Sequence, residues 1–337
     1  MSTSSPPIRN AGRATATVPS VLFGAFVPQG WKTELASIDG AGAQWQATLD
    51  AALLAERLGY DSVWVYDHFH NVPRPSNETV FECWTVLAAI SQRTDEIRLG
   101  QMVGCNSYRN PAVLAKITST LDVISGGRLD WGIGAGWYEN EYRAYGFEYP
   151  KPRDRIAMLD ETVQIVRSMW TQPETTFQGE FYQVRRAQCD PKPLQQPTPP
   201  VWIGGGGEQL TLRTVAKYAD CSNFGGPPDM WAHKRDVLRQ HCGAVGRDPD
   251  TIRMTWSPDI LIRETEAEVH AVGSLAAWGT PVEEWRANNL VGTVDQVAAK
   301  IATYVGLGCG GVVPWCADYP DTETLELLAT RIMPEYR

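Results

Sequence analysis

The 337 residues are 43% hydrophobic, enough to bury a large core and somewhat more than the roughly 250 residues typical of one barrel; one large domain or two modest ones would fit. Thirty Lys and Arg against 39 Asp and Glu leave a formal charge of -9 with no basic cluster, which argues against nucleic acid or an anionic membrane as the main partner. The seven cysteines (Cys83, Cys105, Cys189, Cys221, Cys242, Cys309, Cys316) are scattered, odd in number and without a C-x-x-C pair, so neither a disulfide framework nor a zinc knuckle is indicated and a reducing, cytoplasmic setting fits.

The chain opens on a stretch rich in Ser, Thr, Pro and Ala that lacks the apolar core of a signal peptide, read as a disordered tail over 1–19 ahead of a single folded domain over 20–337. No apolar run is long enough to span a bilayer. From there short β-branched or aromatic runs alternate with longer stretches of helical period, the pattern of repeated βα units. The first strand is Val21 to Val27, followed by a helix from Gln44 to Leu58 that Gly59 stops. The second unit pairs Ser62 to Tyr66 with a helix burying Val80, Trp84, Leu87 and Ala88. The third strand is Ile97 to Val103; Asn110 and Pro111 then open a helix as N-cap and first helical residue, and Gly126-Gly127 close it.

The fourth strand, Arg128 to Ile133, runs into Gly134-Ala135-Gly136 and an aromatic, acidic segment up to Tyr149, before a helix carrying Leu159, Val163, Val166 and Trp170. Thr175 to Val184 reads as an inserted hairpin around Gln178-Gly179. Val201 to Ile203, Cys221 to Phe224, Ile252 to Ile262 and Gly311 to Trp315 supply further strands, and Thr293 with Gln296 reads as a capping box. About eight strands, each followed by helical pattern, give a (β/α)8 barrel of the TIM type with small insertions; an open doubly wound sheet is the structural alternative.

In such barrels chemistry sits at the C-terminal ends of strands. There Asp67 and His68 follow an apolar strand: an imidazole that can move a proton near neutral pH beside a carboxylate that can orient a ring or hold a hydroxyl. The plain alternative is a surface or capping histidine. His68 and His70 also form an H-x-H pair, but the other histidines, His233, His241 and His270, fall in helical stretches, so the further ligands a metal needs are missing. Gly204 to Gly207 lead from a strand into a helix, a turn suited to a phosphate or simply to reversing the chain. No Lys completes a Walker loop, and Gly132 to Gly136 lacks the full dinucleotide spacing. Of the thirteen tryptophans, Trp137, just past a strand end, is the one expected to face a ligand.

Together, Trp64-Val-Tyr-Asp67-His68-Phe, Leu99-Gly-Gln-Met-Val103, Arg109-Asn-Pro-Ala, Ile124-Ser-Gly-Gly-Arg128 and Gly134-Ala-Gly-Trp137-Tyr-Glu-Asn-Glu141 resemble the luciferase-like monooxygenase superfamily, from Val21 onward. The similarity is nearest to the actinobacterial branch of coenzyme F420-dependent oxidoreductases. The resemblance implies a deazaflavin held across the barrel mouth, with Asp67 hydrogen-bonding it and His68 as acid or base. It implies a non-proline cis peptide at Met102-Val103 under the ring. Val103, Cys105, Ala135, Gly136, Trp137 and Asn140 would line the ring or its tail, and Gly206, Gly207, Gln209 and Leu210 would bind the phosphate.

The substrate would be a small molecule, reached through the loop after Pro28 and the segments Asn71 to Thr79, Tyr138 to Tyr149 and Glu264 to Leu290, and the assembly a homodimer. FMN with oxygen chemistry is the alternative cofactor reading, and a non-catalytic cofactor-binding barrel a third. The sugar-phosphate dehydrogenases of this group carry a catalytic glutamate where this chain has Trp137, and no lysine follows the strand ending at Phe224 as a substrate-phosphate ligand would require, a pattern that counts against glucose 6-phosphate as substrate.

Overall fold

Eight parallel strands close on themselves in the computed structural model, which describes residues 21–276 and 279–337. The stretch read as a disordered tail, 1–19, lies outside the described residues. The barrel strands are β1 (Leu22–Phe26), β2 (Ser62–Val65), β3 (Arg98–Gln101), β4 (Leu129–Gly134), β5 (Val201–Gly204), β6 (Cys221–Asn223), β7 (Arg253–Trp256) and β8 (Gly311–Val312). Each pairs in parallel with its neighbours in chain order, and β8 returns to pair with β1. Helices α1 (Ala41–Arg57), α2 (Cys83–Ser91), α3 (Pro111–Ile124), α4 (Pro152–Thr171), α5 (Thr211–Tyr218), α6 (Pro228–Ala244), α7 (Val294–Gly306) and α8 (Glu323–Leu327) follow the strands in turn. This is the (β/α)8 barrel.

Local chemistry sets the ends of these elements. Asn110 caps α3, its side chain accepting from the Ala112 N–H, with Pro111 at the first turn. Thr293 and Gln296 form the reciprocal capping box of α7. Inside the barrel Trp64 meets Trp202 edge to face at 4.6 Å, both fully buried. A Cβ on Gly100 would collide with the six-membered ring of Trp64, so glycine on β3 is what admits so large a side chain on β2.

Two strands expected as continuous are divided: Gly311 to Trp315 ends as β8 at Val312 and resumes after Pro314 as Trp315–Cys316. Ile252 to Ile262 is not one strand: it divides at Ser257-Pro258 into β7 and Asp259–Arg263, because proline has no N–H with which to continue the ladder. The second piece forms a separate three-stranded parallel sheet with Leu290–Thr293 and Trp315–Cys316 beyond the C-terminal ends of β7 and β8. The inserted hairpin is present as Thr175–Gln178 and Gln183–Ala187. No helix among the described residues is long and apolar enough to cross a membrane.

Candidate active site

A cavity of about 320 Å³ opens at the C-terminal mouth of the barrel. It brings together Asp67, His68, Met102, Val103, Cys105, Ala135, Gly136 and Trp137 from the ends of β2, β3 and β4, and reaches Gly204 and Gly205 at the end of β5. Trp31, in the loop after β1, and Tyr138 complete the wall near His68. No described residue of Asn71 to Thr79 or Glu264 to Leu290 lines it. Met102-Val103 is a cis peptide bond between non-proline residues, and it breaks the strand read as Ile97 to Val103 after Gln101.

His68 is held from two sides. Its Nδ1 lies 2.8 Å from Oε2 of Glu141, and its ring stacks on Trp31 at 4.5 Å with an interplanar angle of 3°. Trp137 and Tyr138 meet the ring edge-on at 5.8 and 5.9 Å. Nε2 has no protein partner among the described residues. Glu141 sits on the short helix Glu139–Ala144 and is fully buried. Its Oε1 accepts from the backbone N–H of Phe69 and His70 at 2.7 and 2.8 Å, and its Oε2 also accepts from the Tyr108 hydroxyl at 2.7 Å. Burial disfavours the charge, but the hydrogen bond and charge of His68, with the bonds from His70 and Tyr108, hold the carboxyl below its usual range.

Asp67 is occupied differently. Arg109 grips it in bidentate fashion at 2.7 and 3.1 Å, the Cys105 N–H donates to Oδ2 at 2.8 Å, and the Cys83 thiol donates to Oδ1 at 3.2 Å. Four donors fill the lone-pair positions of the carboxylate. Arg109 also reaches Glu82 at 2.8 Å. The ligand-type atoms of Asp67, Glu82 and Cys83 lie within 4.8 Å of one another, but the positive charge among them is the guanidinium. Burial pushes the Cys83 thiol well up, so it stays protonated.

The remaining sites expected from the sequence lie outside this cavity. Asn140 pairs with Nδ1 of His70 at 2.8 Å. Gly206 and Gly207 continue the turn from Gly205, and their N–H groups meet no acceptor among the described residues; Gln209 is exposed before α5, which has no side-chain cap. Leu210 lines a second, polar cavity between α4 and α5 with Arg153, Arg213 and Lys217. Lys234, on α6 and ten residues beyond Phe224, brings Nζ to 2.7 Å from where a Cβ on Gly206 would stand. A lysine therefore does follow that strand, and it stands over the glycine turn.

These residues fit a flavin-type cofactor on their own terms. Gly134, Gly136, Gly204 and Gly205 line the cavity, and Val103 packs so closely over Gly134 and Gly204 that a Cβ there would stand only 2.6 and 2.8 Å from its methyl groups, so these glycines seat a side chain that can lie under a flat ring. At Gly136 the choice is forced: φ is +78°, and a Cβ would strike the Tyr142 hydroxyl. The free N–H groups, the uncapped helix end and the Lys234 ammonium suit a phosphate. Glu141, Arg109, Trp31 and Lys234 carry weight that the sequence pattern did not assign; Glu141 stands inside the Gly134 to Glu141 motif and Arg109 opens the Arg109-Asn-Pro-Ala motif, and the other two have no local signature.

Fold and cavity define a barrel enzyme of the flavin or deazaflavin type, and the model of the luciferase-like monooxygenase family matches residues 23–282. The chain belongs to that family. It is 30% identical over 291 residues to the F420-dependent glucose-6-phosphate dehydrogenase of Kineococcus radiotolerans, covering 77% of this chain and 83% of the relative. To the enzyme of the same name from Microbacterium testaceum it is 27% identical over 320 residues, covering 86% and 93%. A third match, 36% over 174 residues to that of Amycolatopsis mediterranei, spans 51% of this chain and about half of the relative, 49%. Among solved structures, an F420-dependent secondary alcohol dehydrogenase in complex with an F420-acetone adduct superposes with a TM-score of 0.80 at 20% identity, covering 94% of this chain and 99% of that one, a likeness of fold.

Proposed function

We propose that this chain is a coenzyme F420-dependent oxidoreductase that moves a hydride between the deazaflavin and a small organic substrate, with His68 carrying the accompanying proton. The observation that supports it most is the imidazole at the cavity, tied to Glu141 through Nδ1 and unpartnered at Nε2, in a chain whose relatives are named as F420-dependent enzymes. When bound, the cofactor would supply hydride acceptor or donor chemistry at C5. The protein would do the rest. Val103, seated over Gly134 and Gly204, would support the ring, Gly206, Gly207 and Lys234 would bind the phosphate, and Trp31, Trp137 and Tyr138 would shield the reacting atoms from water. Cys105 and Asp67 would set the wall behind the ring.

Those aromatic walls support an uncharged substrate rather than a sugar phosphate, since no lysine or arginine is among the described residues lining the cavity and the nearby Arg109 is spent on Asp67 and Glu82. The seven free cysteines support a cytoplasmic setting. A homodimer, implied by the family, belongs to the same proposal; sedimentation at micromolar concentration checks it, and a monomer there rejects that part.

Titration with F420 and with FMN, each followed by tryptophan fluorescence, tests the cofactor. Tight FMN binding without response to F420 would replace this reading with an oxygen-using monooxygenase. His68→Ala should abolish turnover while leaving F420 affinity within about threefold; full turnover in that variant rejects His68 as the proton carrier.

A further inference from the structure

We propose that Glu141 is a positioning residue that locks His68 in the tautomer protonated on Nδ1, so that Nε2 is the proton-accepting atom at the cavity. The inference rests on the reading of His68 as proton carrier and deepens it.

A carboxylate only accepts hydrogen bonds. The other three groups on Glu141 are all donors: the Phe69 N–H, the His70 N–H and the Tyr108 hydroxyl. A neutral imidazole has one donor and one acceptor nitrogen, and the partner of one decides the state of the other. With Nδ1 at 2.8 Å from Oε2, the opposite tautomer would set a lone pair against a buried negative charge. Protonation on Nδ1 turns the same contact into a charge-assisted bond.

The ring is also held in direction. Trp31 covers one face in parallel stacking, and the edges of Trp137 and Tyr138 limit rotation. The other ionisable groups near the pair do not compete for Nδ1. Asp67, next in the chain, is paired with Arg109; His70 bonds Asn140; Glu139 bonds Arg143. Burial pushes the Tyr108 and Tyr142 hydroxyls and the Cys105 thiol up, so they stay neutral.

For an alcohol substrate the balance is then complete. The O–H proton would pass to Nε2 of His68 and the hydride leaving the same carbon would be taken up by the deazaflavin when bound, so that the carbonyl is left with no electron or proton unaccounted for. The resulting imidazolium stands beside Glu141, which stabilises it. In the reverse direction the same nitrogen returns the proton.

Glu141→Gln separates positioning from bulk. The two backbone donors at Oε1 claim the amide oxygen, so the amide nitrogen falls beside His68 and must donate to Nδ1, which moves the ring proton to Nε2. Nitrogen-15 spectra of histidine-labelled protein, with the His68 signals assigned from His68→Asn, read the tautomer at a pH where the ring is neutral. The native protein should carry the proton on Nδ1 and the Gln variant on Nε2. The Gln variant should also lose kcat on the order of 10²-fold or more, with KM and F420 affinity held within about threefold.

A native ring protonated on Nε2 overturns the proposal and needs no variant to be folded. So does a Gln variant that keeps kcat within about threefold, or one that loses kcat only in proportion to its unfolded fraction. The two readings fail separately: a native enzyme inactive with F420 but protonated on Nδ1 defeats the functional reading alone, while an active one protonated on Nε2 defeats the positioning role alone.

Discussion

Asp67 is where two roles can be told apart by measurement. The family resemblance makes it a cofactor ligand, whereas its four protein donors make it the anchor of the wall behind the ring. Asp67→Ala would strand Arg109, whose side chain is 14% exposed against 1% for the aspartate. Two unit charges about 4 Å apart interact by roughly 4 kcal/mol at an effective dielectric near 20, and the bidentate geometry is shorter. Glu82 remains at 2.8 Å to absorb part of this, but its side chain is 38% exposed and screened by solvent. The Cys105 N–H also loses its acceptor, at a cost of about 1–3 kcal/mol for a buried donor. Breaking one side of a buried pair costs about 3–5 kcal/mol, and the lower half of that range is expected here because of Glu82. Urea unfolding followed by tryptophan fluorescence reads it, with F420 titration run in parallel. If Asp67→Ala stays within about 1 kcal/mol of the native protein while F420 affinity falls more than about tenfold, the carboxylate is a ligand and the structural role is refuted.

Three further outcomes follow from the same geometry. Lys234→Ala should weaken F420 binding about tenfold at low salt, consistent with one charge-assisted contact, and leave a dephosphorylated deazaflavin unaffected; equal losses for both ligands would remove the lysine from the phosphate site. The Cys105 thiol, pushed up to about 12 mainly by burial, should resist iodoacetamide at pH 8, and rapid stoichiometric alkylation seen by mass spectrometry would contradict this. Glu141 has its folded value below the ordinary 4.5, so its contribution to stability is fully present above about pH 4.5 and is lost as pH falls through the lower folded value. Stability of Glu141→Gln should therefore fall less steeply than that of the native protein below pH 4.5, and parallel curves would show that the carboxylate is not held there.

Much of the barrel was legible because its signals are local. The Asn110-Pro111 start, the Thr293 and Gln296 box and the glycine stops each act within one turn of chain, and the alternation of runs repeats eight times. Leu290–Thr293 escaped notice because four residues including a glycine carry little periodic signal, and its partner Asp259–Arg263 is some thirty residues away. The proline that divides β7 from that partner was visible, but the strand-forming residues on either side of it, Ile252 to Trp256 and Ile260 to Ile262, were joined across it. For the site, positions at strand ends could be read and partnerships could not. Arg109 lies 42 residues from Asp67, Glu141 lies 73 from His68, and Lys234 reaches Gly206 from the middle of a helix. Only closure of the barrel brings each pair together.

That closure also changes what the neighbouring acid and imidazole mean. Side by side in sequence, Asp67 and His68 suggest a dyad in which the aspartate serves the histidine. In the folded chain Asp67 turns to Arg109, Cys83 and Cys105, and its charge is neutralised there. His68 turns to Trp31 and Glu141. The carboxylate that governs the imidazole is thus the one from the far side of the mouth, on a helix whose entry is set by Gly136 and Trp137. On the proposed reading the segment from Gly134 to Glu141 would serve two ends at once: Trp137 would wall the substrate side, and Glu141 would fix the proton. A substitution that shifts that short helix by a fraction of an ångström would loosen the Glu141 contact at 2.8 Å before it touched the barrel, so proton transfer should be more sensitive to changes in this loop than cofactor affinity is.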